Sequence, residues 1–263
     1  MDPLRILLGL FLSATIGALA YKRGSLSASG WLGAVITGTA TFGLGGWPHG
    51  VTLVFFFVSS TIWSRLKKHQ KASLEQSVFE KGSRRDIWQA LANGGLAALL
   101  CCAVPLLPEH SDTINLLFAA TMATVAADTW ATELGVLFGG TPRLITTLKP
   151  ALKGTSGAVS IPGSVAALAA AASTAVVFAA MNGTLTGQFV LIVTLVGVFG
   201  CLSDSLLGAT VQRLYHGPTG LTERTHGPDG TPLPLARGWR WLNNDLVNFL
   251  SSLAAAILAW FFR

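Results

Sequence analysis

The chain of 263 residues is 51% hydrophobic and only 11% charged, with a formal net charge of +6 and a mean hydropathy of +0.56. Soluble domains carry about 25% charged residues. This composition therefore excludes an ordinary soluble enzyme and indicates a protein that crosses a membrane several times. The positive charges are spread along the chain and form no basic domain, which argues against a nucleic-acid partner.

Eight apolar segments of spanning or nearly spanning length follow one another along the chain. A transmembrane helix needs about 20 apolar residues, with about 17 to 25 tolerated. The segments are residues 4–20, 28–45, 48–63, 87–107, 112–138, 161–180, 187–208 and 241–262. The first lacks the cleavage motif of a secretion signal, so we expect a retained helix. The sequence therefore predicts an all-α fold, a single integral-membrane domain over residues 1–263 with about eight transmembrane helices.

The connecting segments alternate in charge. Every Lys and Arg except Arg5 and Arg263 lies in the first, third, fifth or seventh connection. Cytoplasmic loops of membrane proteins carry an excess of Lys and Arg, so these four connections are predicted to be cytoplasmic and both termini to lie on the opposite side. A miscounted helix would break this alternation, so the charges support the count of eight independently of hydropathy.

Four carboxylates lie near the ends of three predicted spans. Asp128 and Glu133 are in DTWATELG at the end of the fifth, Asp204 is in CLSDSLLGA in the seventh, and Asp245 is in NNDLVN in the eighth. The predicted topology places all four at a similar depth on the cytoplasmic side. An ionised carboxylate is costly to bury unless it is paired or binds a metal, and Mg²⁺ prefers a few carboxylates with waters and phosphates. The candidate metal-binding residues are Asp128, Asp204, Asn244 and Asp245.

The spacing of the first two acids leaves two interpretations open. At 100° per residue, Asp128 and Glu133 are about 140° apart on a straight helix, so one small ion would not easily bridge them. Either the two carboxylates have different roles, or Gly135 marks a local unwinding of the helix. For any single carboxylate, an ordinary interfacial or helix-capping role is a further alternative.

A glycine-rich connection, TPRLITTLKPALKGTSGAVSIPGS, follows the fifth segment and leads directly into a predicted helix. Glycines let backbone N–H groups approach an anion, lysines add positive charge, and a helix N-terminus favours phosphate. The P-loop pattern GxxxxGK(S/T) occurs nowhere in the chain, and a flexible turn with topology-determined lysines is the alternative. The candidate phosphate-binding residues are Lys149, Lys153, Gly154, Thr155, Ser156 and Gly157.

A further polar stretch, RRDIWQALANGG, opens the fourth segment. Its arginine pair lies at the predicted membrane border, and arginines bind phosphate well. Gln89 and Asn93 share one face of the helix at a spacing of four residues. We include Arg84 and Asn93 among the candidate ligand-binding residues. The alternative is that the arginines serve topology and the amides serve helix–helix hydrogen bonding.

Together these stretches resemble the integral-membrane family that contains the plant and cyanobacterial phytyl phosphate kinases. The resemblance is carried by DTWATELG, PRLITTLKPALKGTSGAVSIPG, SDSLLGA and NNDLVN, and GSLSASGWLGAVITG, FFFVSSTIWSRLKKHQK and RRDIWQALANGG extend it over nearly the whole chain. It implies transfer of a phosphoryl group from a nucleoside triphosphate, with CTP the first candidate, to an isoprenoid monophosphate such as phytyl or geranylgeranyl phosphate. The product would feed tocopherol and quinone synthesis.

The resemblance also implies roles for particular residues. The catalytic set would be Asp128, Glu133, Lys153 and Asp204, with Mg²⁺ as cofactor and the lysines and glycines of the fifth connection on the phosphates. The second segment, rich in Gly and Thr, would line the prenyl path, although small residues also serve packing. We expect a bacterial cytoplasmic or thylakoid membrane, with the active site on the cytoplasmic side. A homo-oligomer is compatible with the sequence.

Two other functions remain to be compared with a kinase. A transporter or flippase of a lipid phosphate would place acidic residues near the bilayer midplane and show a two-fold repeat. Here the acids cluster at one border, and no repeat is evident. A lipid nucleotidyltransferase or alcohol-phosphotransferase would differ from a kinase in the nucleotide product that it releases.

Overall fold

The computed structural model describes residues 2–66, 80, 84–218 and 220–263. These residues form eight α-helices whose bounds follow the eight predicted segments closely. They are α1 Pro3–Lys22, α2 Ala28–Ala40, α3 Trp47–Arg65, α4 Ile87–Ala103, α5 Ser111–Phe138, α6 Ile161–Asn182, α7 Gly187–Thr210 and α8 Asn244–Trp260. A π-helical turn, Thr41–Gly45, extends α2, and a 3₁₀ turn, Pro108–His110, precedes α5. The predicted order and number of helices are thus confirmed in the described residues.

Four stretches of the described chain are long and apolar enough to cross a bilayer. They are α1, α6, α7 and the continuous stretch Pro108–Phe138 that contains α5. Helices α4 and α8 are apolar but shorter, at 17 residues each. The structure therefore gives a mostly helical protein with membrane-spanning helices. The count of eight spans and the side on which the termini lie stay predictions.

Helix α5 is the centre of the bundle. It packs against α3, α4, α6, α7 and α8, and its middle, around Phe118, is fully enclosed. Small residues allow the close approach of the neighbouring helices. A Cβ atom added at Gly197 of α7 would lie 2.7 Å from the Cβ of Ala123, which is the small-residue packing that membrane helices use.

Three helices that begin at the same end of the bundle have capped N-termini. Asp86 accepts a hydrogen bond from the Gln89 backbone N–H at 2.9 Å, and Ser160 accepts one from that of Gly163 at 3.2 Å. Asn243 caps α8 in the same way. Each cap satisfies a backbone N–H that has no partner within its own helix. The caps therefore fix where α4, α6 and α8 begin.

The connections on this end of the bundle contain five short strands. They are β1 Arg143–Leu144, β2 Ala158–Val159, β3 Leu214–Gly217, β4 Gly220–Thr222 and β5 Leu235–Arg237. β1 pairs with β2, and β3 lies between β4 and β5, all antiparallel. The prediction of an all-α chain is corrected here, since residues 212–240 fold in part into a small sheet. Strands of two to four residues are too short to show the alternating pattern that identifies a strand in a sequence.

Candidate functional site

A cavity of about 320 Å³ lies at the end of the bundle where α3, α5 and α7 end and α4, α6 and α8 begin. The connections from α5 to α6 and from α7 to α8 border it. It brings together most of the residues singled out in the sequence: Asn93, Asp128, Glu133, Lys153, Gly154, Thr155, Ser156, Gly157, Asp204, Asn244 and Asp245. The antiparallel order of the helices therefore gathers the four carboxylates around one cavity.

Two of these carboxylates lie next to each other. The side chains of Asp128 of α5 and Asp204 of α7 are within hydrogen-bonding reach of each other. Ser251 of α8 donates to Asp204 Oδ2 at 3.1 Å, and Asn248, with its amide nitrogen turned towards the acceptors, donates to the same oxygen at 3.0 Å. Two negative charges this close in a buried site repel strongly, so the pair is favourable when a cation or a proton lies between them.

The donor set fits Mg²⁺ better than a softer metal. Asn244 and Asp245 line the same cavity at the start of α8, and the oxygen ligands that lie close together are those of Asp128 and Asp204. In the part of the chain that the structure describes, no group of three or more His, Cys, Asp or Glu side chains is arranged to hold a metal. Mg²⁺ needs no such group, because it binds through one or two carboxylates together with waters and substrate phosphates.

Glu133 lines the same cavity but has different partners from Asp128. Helix α5 continues without interruption to Phe138, so Gly135 does not unwind it. A Cβ atom at Gly135 would lie 3.2 Å from Ser160 Oγ, so the glycine serves close packing against the start of α6. Glu133 accepts a hydrogen bond from Ser64 at 2.5 Å and attracts the Arg85 guanidinium. The interpretation that the two carboxylates have different roles is the one that fits this geometry.

The glycine-rich turn of residues 153–157 forms another wall of the cavity. Lys153 Nζ donates to the backbone oxygen of Val136 at 3.0 Å, which ties the turn to the end of α5. Gly154 and Gly157 have φ angles of 82° and 81°, a left-handed conformation that only glycine adopts readily. A Cβ atom at Gly157 would overlap Ala209 at the end of α7. The turn is therefore packed tightly and is not the flexible loop that the sequence left open.

We expect the substitution Gly157→Ala to destabilise the protein and to impair ligand binding. The left-handed backbone costs an alanine about 1–2 kcal/mol, and the overlap with Ala209 adds about 1–3 kcal/mol. Gly140→Ala is the matched control, since Gly140 also has a positive φ but a Cβ atom there meets nothing within 4 Å. Thermal unfolding of the two detergent-solubilised variants measures the difference. Equal loss of stability in both would show that the contact with α7 is unimportant.

A buried hydrogen-bonded group holds this turn in place, and two of its members, Gln212 and Glu223, also line the cavity. Glu223, which follows β4, accepts hydrogen bonds from Ser156 Oγ at 3.0 Å and from Gln212 Nε2 at 2.9 Å. Gln212 also donates to Ser156 at 3.1 Å. Burial raises the pKa of the Glu223 carboxyl above its ordinary value, and the two hydrogen bonds oppose that rise. The sequence analysis missed Glu223 and Gln212, because a polar connection gives no sign of which side chains fold inwards.

We expect Glu223→Ala to lower stability and to loosen the turn of residues 153–157. It leaves Ser156 and Gln212 without their shared acceptor, and buried hydrogen bonds to a charged group contribute about 1.5–3 kcal/mol. Asp229→Ala is the control, because Asp229 is a fully exposed acid in the same connection. Thermal unfolding and hydrogen–deuterium exchange of the turn are the measurements. Wild-type exchange of residues 153–157 in a destabilised Glu223→Ala protein would mean that Glu223 does not position the turn.

Two of the predicted ligand-binding residues lie outside the cavity lining. The exposed Arg84 donates to the backbone oxygen of Leu26 at 3.3 Å and lies 5.9 Å from the Tyr21 ring centroid. Lys149 is also exposed. Arg85, the neighbour of Arg84, lines the cavity instead, and of the two predicted lysines Lys153 lines it while Lys149 does not. Sequence spacing could not decide between Arg84 and Arg85, since both fit the same motif.

Helices able to span a bilayer, with a polar cavity at one end of the bundle, define an integral membrane protein. The family model described as integral membrane protein DUF92 matches residues 11–256, and the chain belongs to this family. It is 31% identical to Protein PGR of Arabidopsis thaliana in an alignment of 276 positions. The alignment covers 97% of this chain and 94% of that protein.

Two further relatives come from a plant and an archaeon. The chain is 28% identical to the chloroplastic Protein VTE6 of Arabidopsis thaliana over 89% of this chain and 64% of that protein. It is 29% identical to the uncharacterized membrane protein MJ0933 of Methanocaldococcus jannaschii over 81% of this chain and 87% of that protein. No solved structure matches the chain.

Proposed function

We propose that the protein is a membrane-embedded kinase that phosphorylates an isoprenoid monophosphate to the diphosphate. The observation that carries this proposal is that acids from α5, α7 and α8 line the same cavity as the turn bearing Lys153. Carboxylates for a divalent cation and a lysine-bearing turn for phosphates are the two components that phosphoryl transfer needs. The family resemblance of the sequence motifs supports the choice of substrate class.

In this proposal Asp128 and Asp204 hold Mg²⁺, with Asn244 and Asp245 beside them. The cation, when bound, neutralises the charge of the donor phosphates. Lys153 and the backbone N–H groups of the turn that ends at Gly157 bind the nucleotide phosphates. Their fixed positions would stabilise the transition state without reorganisation during the reaction.

The transfer itself needs little acid–base assistance. An oxygen of the acceptor phosphate, already ionised, forms a bond to the terminal phosphorus of the nucleotide. The bond between that phosphorus and the bridging oxygen breaks, and a nucleoside diphosphate leaves. Glu133 then has a positioning role, since it is hydrogen-bonded to Ser64 and attracts Arg85, which lines the cavity. The acceptor would be phytyl or geranylgeranyl phosphate, and the site would face the cytoplasmic side of a bacterial or thylakoid membrane.

The test is a reconstitution of purified protein in detergent with Mg²⁺, a nucleoside triphosphate and a prenyl phosphate. We expect CTP to support formation of the prenyl diphosphate and of CDP, and EDTA to stop the reaction. Absence of a diphosphate from every combination of nucleotide and prenyl phosphate would refute the kinase. Release of pyrophosphate or CMP would indicate a nucleotidyl- or alcohol-phosphotransferase. Counterflow of lipid phosphate in liposomes without nucleotide would indicate a transporter.

A further inference from the structure

A second cavity adjoins the first and has a different character. It occupies about 80 Å³ between α1, α2, α3 and α4, and its surface is almost entirely apolar. Arg85, Gln89 and Asn93 line both cavities. These three side chains therefore separate an acidic, polar compartment from an apolar one, so a molecule with a charged head and a hydrocarbon tail could place one part in each.

The surroundings of Arg85 suit the binding of an anionic ligand. Arg85 is half-buried, and the accessible part of its side chain faces the two cavities. Among the described residues its guanidinium donates no hydrogen bond; it lies 5.7 Å from the ring centroid of Phe56 and 5.8 Å from that of Phe57, and it is attracted by Glu133. A guanidinium with five N–H donors, none of which has an acceptor among the described residues, suits a phosphate, which it binds with two parallel hydrogen bonds.

The packing of the helices leaves a gap beside the apolar cavity. The π-helical turn Thr41–Gly45 joins α2 to α3, but in the described structure α2 packs mainly on α1 and α4, whereas α3 packs mainly on α5 and α6. Ala34 of α2 and Leu53 of α3 line the resulting space, and Phe42 in the joining turn borders it. Helices α1 and α2 lie at the periphery of the bundle, so a lipid tail that leaves this gap would enter the surrounding bilayer.

We propose that the second cavity binds the isoprenoid units next to the phosphate of the acceptor lipid, and that Arg85 binds the phosphate where the two cavities meet. This inference rests on the proposed function, since it takes a lipid monophosphate as the ligand. The small volume accommodates only the first units of the chain. The rest of the tail lies between α2 and α3 in contact with the bilayer.

The test measures binding without turnover. Purified protein in lipid nanodiscs, with no nucleotide, is exposed to a prenyl phosphate that carries a photoreactive diazirine on its first isoprenoid units. We expect labelled peptides that cover residues 34–42 and 53–57. Ala34→Phe, which fills the cavity, should reduce labelling about tenfold. Ala180→Phe, an exposed alanine of α6 that lines neither cavity, should leave labelling unchanged. Ala34→Leu provides the same measurement if the larger side chain prevents folding.

Arg85→Gln examines the phosphate contact separately. We expect it to weaken labelling by the prenyl phosphate about tenfold but to leave labelling by the corresponding diazirine-bearing alcohol unchanged. Labelling confined to other helices, or wild-type labelling of both Ala34 variants, would overturn the assignment of the cavity. An equal effect of Arg85→Gln on phosphate and alcohol would overturn the role of Arg85. If the protein has kinase activity but the photolabel is attached to other helices, only this inference is refuted. If the photolabel is attached to residues 34–42 and 53–57 but no kinase activity is found, only the proposed kinase function is refuted.

Discussion

Asp128→Asn is expected to abolish phosphoryl transfer while leaving the protein folded and at least as stable as the wild type without Mg²⁺. The amide keeps the shape of the side chain but removes a negative charge facing Asp204. Without a cation, this removes repulsion between buried carboxylates. With a cation, it removes a ligand, and we expect kcat to fall about 10²–10³-fold or more, the range seen when one electrostatic contact to the reacting group is lost.

Two measurements make this prediction specific. Mg²⁺ with nucleotide should raise the thermal unfolding temperature of the wild type by mass action and should have little effect on Asp128→Asn. Asp112→Asn is the matched control, because Asp112 is an exposed acid at the opposite end of the same helix. It should retain wild-type activity and the wild-type response to Mg²⁺. Full activity in Asp128→Asn would remove the central residue of the proposed site.

The second large effect is expected from Lys153→Gln. Lys153 projects from the glycine-rich turn into the cavity and is held there by its contact with Val136. Loss of its positive charge beside the nucleotide phosphates should lower kcat/KM about 10²–10³-fold. Lys149→Gln changes the same residue type four positions earlier in the same connection, but its side chain is exposed and outside the cavity. It should change kcat/KM by less than about threefold, the scale expected of exposed charge interactions.

Steady-state kinetics with both substrates varied will separate the two lysines. A larger defect in Lys149→Gln than in Lys153→Gln would contradict the placement of the turn. Similar defects in both would mean that the connection attracts the nucleotide by its overall charge, without a specific contact. In that case the defects should diminish as the ionic strength rises, because exposed charges are screened by salt.

The helices were predictable because their signals are long and mutually consistent. Each apolar segment extends over many turns, and the alternation of charge between segments independently fixes their number. The capping residues Asp86, Ser160 and Asn243 precede three of them, as helix-start rules require. The short strands were not predictable, because pairing of β3 with β5 joins residues separated by a long Gly- and Pro-containing connection. No local pattern specifies such a pairing.

The site acids that lie in the helices were predictable, whereas Glu223 and the contacts that support the site were not. A carboxylate such as Asp204 in an apolar helix stands out by its cost of burial alone. Glu223 gave no such signal, since it lies in a polar connection where an exposed acid is the ordinary expectation. The choice of Arg85 over Arg84 depends on which direction the chain takes as it enters α4, and that direction is set by tertiary packing.

The enclosure of α5 limits which parts of the protein can move. Five helices surround it, so a displacement of α5 as a whole would require most of the bundle to repack. Movement that admits or releases ligands must therefore come from the connections bordering the cavity and from the peripheral pair α1 and α2. Helix α5 thus holds the acids in place while the parts around the cavity move. If product release is slow, its rate should respond to substitutions in the bordering connections or in α1 and α2.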